Sequence, residues 1–264
     1  GAFAEKGETL TVGARDSVMA RRANLSKGSG DKGVVPAAMN SRPGSRGRRV
    51  TAPVVIVTGA GRGIGRATAA AFAEQGYRIV VAEILPGPGR QTLKQLRGVG
   101  VEAVFLQTDV AALSPVRRMV WTVLERFGRI DCLVNNAGVL RTGRFVDLPM
   151  RELDRMLDVN LRGPIVLTRA VLPSMLRQGS GAIINVASQL GTYGIADYVT
   201  YCASKFGVVG FTEALAAELT GAGVRVWAVC PGLVDTPMAR EAGVSPRERA
   251  GLIRPERVAR TIVD

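Results

Sequence analysis

The sequence predicts an α/β fold built on a doubly wound parallel sheet of Rossmann-like type, and three observations predict it. Short, almost wholly apolar, β-branched runs recur after residue 50, which marks strands buried on both faces. A helix-former-rich stretch follows nearly every run, so strands and helices alternate. A glycine-rich loop, Thr58 to Gly65, stands at the first strand-to-helix junction. Right-handed crossovers between parallel strands then place helices on both faces of one sheet.

The elements follow in order. VTAPVVIVTG is a strand that stops at Gly59, and RATAAAFAEQG is a helix with a glycine stop at Gly76. YRIVVAEI is the second strand and RQTLKQLRGVG the second helix. VEAVFLQTDV and SPVRRMVWTVLERFG form the third pair, with Ser114 expected as N-cap ahead of a first-turn Pro115. IDCLVNNAG is a strand, followed by helical stretches over about 149–162 and 164–178. GAIINVAS, a long helix from Thr200 to Leu219, VRVWAVCPG and a final helix in RPERVARTIVD complete the pattern.

Residues 1–50 read differently. They are rich in Gly, Ser, Ala and Arg and have no sustained apolar period, so burial cannot offset their ordering entropy. They read as a flexible basic leader, with Met39 a natural first residue, ahead of one catalytic domain over 51–264. Ten basic and four acidic residues put +6 of the net charge of +13 in this leader. The remaining surplus is spread along the body without a basic run, which argues against nucleic acid as a partner.

Composition excludes several chemistries. The 264 residues contain no histidine, so a Ser-His-Asp triad, a histidine base and a histidine zinc site are all ruled out. Three cysteines at unpatterned spacing fit neither a disulfide framework nor a metal cluster, and they point to a reducing, cytoplasmic setting. No apolar run reaches the ~18 residues of a membrane helix, so no membrane partner is expected.

The polar residues at the strand ends supply the chemistry. In TGAGRGIG, Gly59 allows a tight turn, while Gly61, Gly63 and Gly65 let a pyrophosphate approach a helix N-terminus. Glu83 lies 24 residues beyond Gly59 at a strand end, placed to accept hydrogen bonds from ribose hydroxyls. NNAG (135–138) and Ser188 end the fourth and fifth strands. Thirteen residues after Ser188 comes Tyr201, with Lys205 one helical turn later on the same face. Without histidine, a tyrosine tuned by a neighbouring ammonium is the best proton carrier in the chain.

Together, TGAGRGIG, Asp109 in TDV, NNAG, Asn160 in DVNL, Ser188, YCASK and Pro231-Gly232 are similar, in order and spacing, to the short-chain dehydrogenase/reductase family. The resemblance covers about residues 53–264. It implies reversible hydride transfer between a nicotinamide cofactor and a secondary alcohol or ketone, in a homodimer or homotetramer. Tyr201 resembles the acid/base, Lys205 the residue that binds nicotinamide ribose and lowers the tyrosine pKa, Ser188 the substrate-orienting hydroxyl, and Asn160 the holder of a relay water. For the cofactor it implies Gly59, Gly61, Arg62, Gly63, Ile64 and Gly65 at the pyrophosphate, and Glu83 at the ribose. Asp109 and Val110 would meet the adenine, Asn136, Ala137 and Gly138 the cleft wall, and Pro231, Gly232, Val234 and Thr236 the nicotinamide. A helix cap remains the plain alternative for Asn160 and for Thr236.

Cofactor choice is contested between two residues. A basic side chain at Arg62 accompanies a 2′-phosphate in the family, whereas Glu83 favours a free 2′-hydroxyl; the carboxylate decides for NAD over NADP. An NADPH-dependent 3-oxoacyl thioester reductase is the alternative reading. A non-catalytic cofactor-binding regulator is another, against which the complete proton-relay set argues. Leu140, Gln189, Tyr193, Tyr198 and Met238 are expected to line a moderately apolar pocket. The chain departs from the family in lacking a seventh, C-terminal strand, and the stretch Leu233–Ile253 is short for a lid.

Overall fold

The computed structural model describes residues 10–13, 51–243 and 251–264. A four-residue strand, β1 (Leu10–Gly13), comes first, and the alternating body begins with β2 (Val54–Thr58) and α1 (Gly63–Glu74). Then follow β3 (Arg78–Glu83), α2 (Pro86–Gly98), β4 (Ala103–Gln107), α3 (Leu113–Phe127) and β5 (Cys132–Asn135). Helix α4 (Met150–Leu157) passes through a π turn at Asp158–Arg162 into α5 (Gly163–Gln178). The chain ends with β6 (Gly181–Val186), α6 (Val199–Glu218), β7 (Val224–Cys230), α7 (Pro237–Glu241) and α8 (Pro255–Val263).

The sheet order is β1-β7-β6-β5-β2-β3-β4, with β2 through β7 parallel. From β2 the chain winds outward to β4, then returns to β5 on the other side of β2 and winds out to β7. The two windings part between β2 and β5, which opens a crevice outside the C-terminal strand ends. All of β2 is buried, with Val54 and Ile56 facing one helical layer and Val55 and Val57 the other. That two-sided burial is why these strands read as continuous apolar runs instead of alternating ones. Val116, Met119 and Val123 of α3 and Leu167 and Val171 of α5 fill the first layer; Phe72 of α1 and Val258 and Ile262 of α8 fill the second.

The leader was expected to have little fixed structure, and Leu10–Gly13 departs from that. Its strand pairs antiparallel with β7, Leu10 opposite Cys230 and Gly13 opposite Trp227. Backbone pairing along an open strand edge orders a segment that has too little apolar surface to pack as a layer. The described sheet therefore has seven strands, with β1 at the edge beside β7. The rest of the leader, Met39 included, lies outside the described residues.

Two local expectations also change. Helix α3 starts at Leu113, with Ala112 in extended conformation as its N-cap, so Ser114 lies inside the first turn. The stretch 149–162 is also not one α-helix: it ends at Leu157 and widens into the π turn that carries Asn160. Such one-turn widenings turn side chains out of α register and gather at functional sites.

Candidate active site

Every polar strand-end residue singled out from the sequence except Asp109 converges on the crevice between β2 and β5 or on its walls. The glycine loop lies at its centre. Gly59 and Gly63 adopt left-handed backbone, with φ of +61° and +53°. A Cβ at Gly65 would lie 2.3 Å from the Gly59 carbonyl oxygen, so no side chain fits there. Helix α1 opens directly from this loop with Arg62 as an extended N-cap, no side-chain cap and no acid in its first turn. Its first N–H groups and positive dipole end thus suit a diphosphate, and the glycines leave the backbone bare for it.

The NNAG segment is the loop's fastening. Asn136 Nδ2 donates to the carbonyls of Thr58 (2.8 Å) and Gly59 (3.3 Å), and Thr58 Oγ1 accepts from the backbone N–H of Asn136 and Ala137. Asn136 therefore shapes the loop with its side chain, while Ala137 and Gly138 form the wall. Beneath them Asn135 donates to Asn185 at 2.8 Å and to Thr168 at 3.3 Å in a buried polar ladder.

Glu83 closes the β3 end of the crevice. It is 7% exposed; Oε2 accepts the Gly61 N–H at 3.0 Å and Oε1 the Leu85 N–H at 3.1 Å. Two guanidinium groups stand at the same mouth. Arg66 spends its Nε and Nη2 on the Gly61 carbonyl and on Gln91. Arg62 reaches Glu241 of α7 at 3.0 Å. Asp109 Oδ1 accepts the N–H of Ala111 and so holds its own turn, and Val110 is buried under Gly163.

Across the crevice, Ser188 at the end of β6 is extended, and its Oγ accepts the Leu190 N–H at 3.1 Å. The Ser188 side chain also hydrogen-bonds the phenol of Tyr201. Burial pushes that phenol up to about 12, against the opposing pull of Ser188. Lys205 Nζ lies 5.7 Å from the centre of the Tyr201 ring and donates to the Val186 carbonyl at 2.8 Å. Burial lowers the lysine to about 8. The ammonium is turned to that carbonyl, and desolvation is the largest influence on the phenol.

Asn160 does not cap a helix. Its Oδ1 accepts the Val139 N–H at 2.8 Å, and its Nδ2 donates to the Val139 carbonyl and to Ser204. It thus bolts the chain after NNAG to helix α6. Thr236 does cap a helix, accepting the Ala239 N–H, yet its methyl also lies against Gly63. Val234 is buried in the core and bridged to Ile253, so only its backbone can border the cleft. Gly232 sits beside the Gln189 amide, Ile64 packs at the core edge, and Pro231 accepts the Gln189 N–H. Of the expected pocket residues, Tyr198 meets Tyr201 edge-on, with ring centres 6.4 Å apart, and Met238 approaches Gly138.

Sequence reasoning missed two participants. Cys230, at the end of β7, accepts a hydrogen bond from the Ser188 backbone, and burial pushes its thiol up to about 11. Glu241 is the partner of Arg62 across 179 residues. Neither belongs to a motif, and nothing local in the sequence signals either pairing.

The arrangement offers a bare diphosphate cradle, a buried carboxylate at its side, and a buried hydroxyl pair near an ammonium. The cradle fits a dinucleotide. Residues 53–246 match the family described as short chain dehydrogenase. The 3-oxoacyl-[acyl-carrier-protein] reductase FabG of Thermotoga maritima is 37% identical over 224 residues, covering 81% of this chain and 90% of that protein. The D-threitol dehydrogenase of Mycolicibacterium smegmatis is 41% identical over 199 residues, covering 75% and 76%. A crystal structure of an actinorhodin polyketide ketoreductase variant with NADPH superimposes with a TM-score of 0.75 at 38% identity, covering 80% of this chain and 88% of that one. On this match, and on the site that accompanies it, the chain belongs to the short-chain dehydrogenase family and is an oxidoreductase acting on CH–OH and carbonyl groups with a nicotinamide cofactor.

Proposed function

We propose that the protein interconverts a secondary alcohol and its ketone with NAD as the preferred cofactor, and that Tyr201 is the acid/base. The bound nicotinamide supplies the hydride acceptor or donor. Ser188 orients the substrate oxygen beside the Tyr201 phenol. In oxidation the phenolate takes the hydroxyl proton; in reduction the phenol returns it to the carbonyl oxygen. With a nicotinamide nucleotide bound, Lys205 would hold its ribose hydroxyls next to Tyr201, and Asn160 fixes the wall between Val139 and Ser204 that would border a relay water. Tyr198 and Met238 border an apolar substrate.

The observation that carries the cofactor reading is Glu83. Two backbone N–H groups hold its buried carboxylate, so it cannot swing aside for another anion. A 2′-phosphate brings nearly two negative charges against it and forfeits charged hydrogen bonds from the ribose, worth ~1.5–3 kcal/mol each. NAD should therefore exceed NADP by about ten-fold or more in kcat/KM, since ~1.4 kcal/mol already gives that factor. A panel of alcohols and ketones, followed by absorbance of the reduced nicotinamide with each cofactor, tests this. Glu83→Ser should narrow the ratio by weakening NAD and admitting NADP. Equal or better turnover with NADP in the unaltered protein overturns the reading and favours the second one, an NADPH-dependent 3-oxoacyl thioester reductase. That second reading draws on the names of the reductase relatives and on the NADPH in the related ketoreductase crystal.

The same proposal takes the protein as a cytoplasmic homodimer or homotetramer. Three free, buried thiols support a reducing compartment. Exposed apolar side chains on α3 and α5 support association.

A further inference from the structure

Two cations stand at the adenosine end of the crevice, and the structure commits both. Arg66 is held by the Gly61 carbonyl and Gln91. The Arg62 guanidinium donates through Nη1 to Glu241 Oε1 at 3.0 Å, with both side chains about half-exposed. Glu241 reaches it because α7 lies across the glycine loop, with Thr236 against Gly63 just before the helix and Met238 against Gly138 in its first turn. Among the described residues, the only carboxylate that Arg62 pairs with is thus supplied from the far side of the crevice. An added phosphate at this mouth would need a guanidinium fork to offset Glu83. To obtain one it must first break the Arg62–Glu241 pair.

We propose that Glu241 is a specificity-determining residue for the cofactor: by occupying Arg62 it withholds that guanidinium from a 2′-phosphate. Glu241 acts through Arg62 and touches neither substrate nor cofactor, so it is a positioning residue. The inference rests on the reading of Glu83 as the ribose-binding carboxylate. The two carboxylates then act together, Glu83 by direct repulsion and Glu241 by competition for the cation. Because the pair is half-exposed, its effect is modest and screened by salt.

The test is a cycle of Glu241→Gln, Arg62→Ala and the double variant. It reads kcat/KM with NAD and with NADP, together with NADPH and NADH affinities from nicotinamide fluorescence. E241Q should improve NADP kcat/KM and NADPH affinity about three- to five-fold, as expected for an exposed pair. NAD and NADH values should move by less than about two-fold. The gain should vanish in the R62A background and shrink at about 0.5 M salt. A gain that survives without Arg62, or equal movement for both cofactors, overturns the assignment. The two proposals fail separately. An unaltered protein that prefers NADP overturns the Glu83 reading, whereas an E241Q variant with an unchanged cofactor ratio overturns the role of Glu241.

Discussion

Lys205 carries the largest electrostatic cost in the site. Its ammonium is almost fully buried, beside one carbonyl oxygen, and burial moves it from 10.5 to about 8. A base lowered in the folded state binds fewer protons there than in the unfolded chain between those two values. Stability therefore rises with pH across that window, and the penalty is present in full below pH 8. The shift corresponds to roughly 3 kcal/mol. Lys205→Met removes this titration and orphans the Val186 carbonyl at every pH. Its sign at neutral pH is thus a contest between relieved desolvation and a lost hydrogen bond. The pH dependence is not a contest: from pH 7 to pH 10 the unaltered protein should gain about 2–3 kcal/mol on the variant. Urea midpoints at the two pH values measure this, and a difference that stays flat would show that Lys205 is not desolvated as described. On the proposed reading, the site retains a destabilising residue because a bound cofactor would need an ammonium at its ribose.

At the scale of elements, β1 has the most to reveal. It adds four residues of antiparallel pairing to the edge of β7, the strand that ends in Cys230 and leads to Pro231 and Gly232. Removing residues 1–13 exposes the N–H and C=O groups of that edge to water. We expect the melting temperature to fall by several degrees, since about 1 kcal/mol moves a domain of this size by about 2–4 °C. Differential scanning calorimetry of the shortened chain checks this, and an unchanged midpoint would mean that β1 adds nothing to the sheet. The sequence did not show this strand, because LTVG is too short for a period and its partner lies more than two hundred residues away. By contrast, β2, α1, β6 and α6 were legible, each being a local pattern with its functional residue built in: TGAGRGIG, INVAS and YCASK. The cap at Ser114 was misjudged because Asp109 fixes the preceding turn and lets the helix begin at Leu113. Asn160 was found by motif, but its partner Val139 was not, since the π turn that aims it leaves no periodic trace.

At the scale of the whole molecule, the distribution of exposed apolar surface matters more than the net charge. Trp121 is 60% exposed, and Leu113 of the same helix α3 and Ile165 and Leu176 on the adjacent α5 are also open to solvent. Large apolar side chains grouped on neighbouring helices mark association surfaces. Sedimentation equilibrium should therefore return a multiple of the 27.9 kDa chain mass, and Trp121→Asp should shift the population toward the monomer. A monomeric unaltered protein would defeat this expectation.

The pairing of Leu10 with Cys230 also bears on the order in which the sheet is completed. A ribosome releases β1 first among the strands and β7 last. A non-local pairing cannot form until its partner exists, and its loop-closure entropy is spent before any contact rewards it. The earliest described strand must therefore wait through the synthesis of α6 and β7 before it can dock. Throughout that interval the body folds without its β1 edge, and vectorial synthesis leaves the pairing of β1 with β7 among the last contacts of the sheet to form.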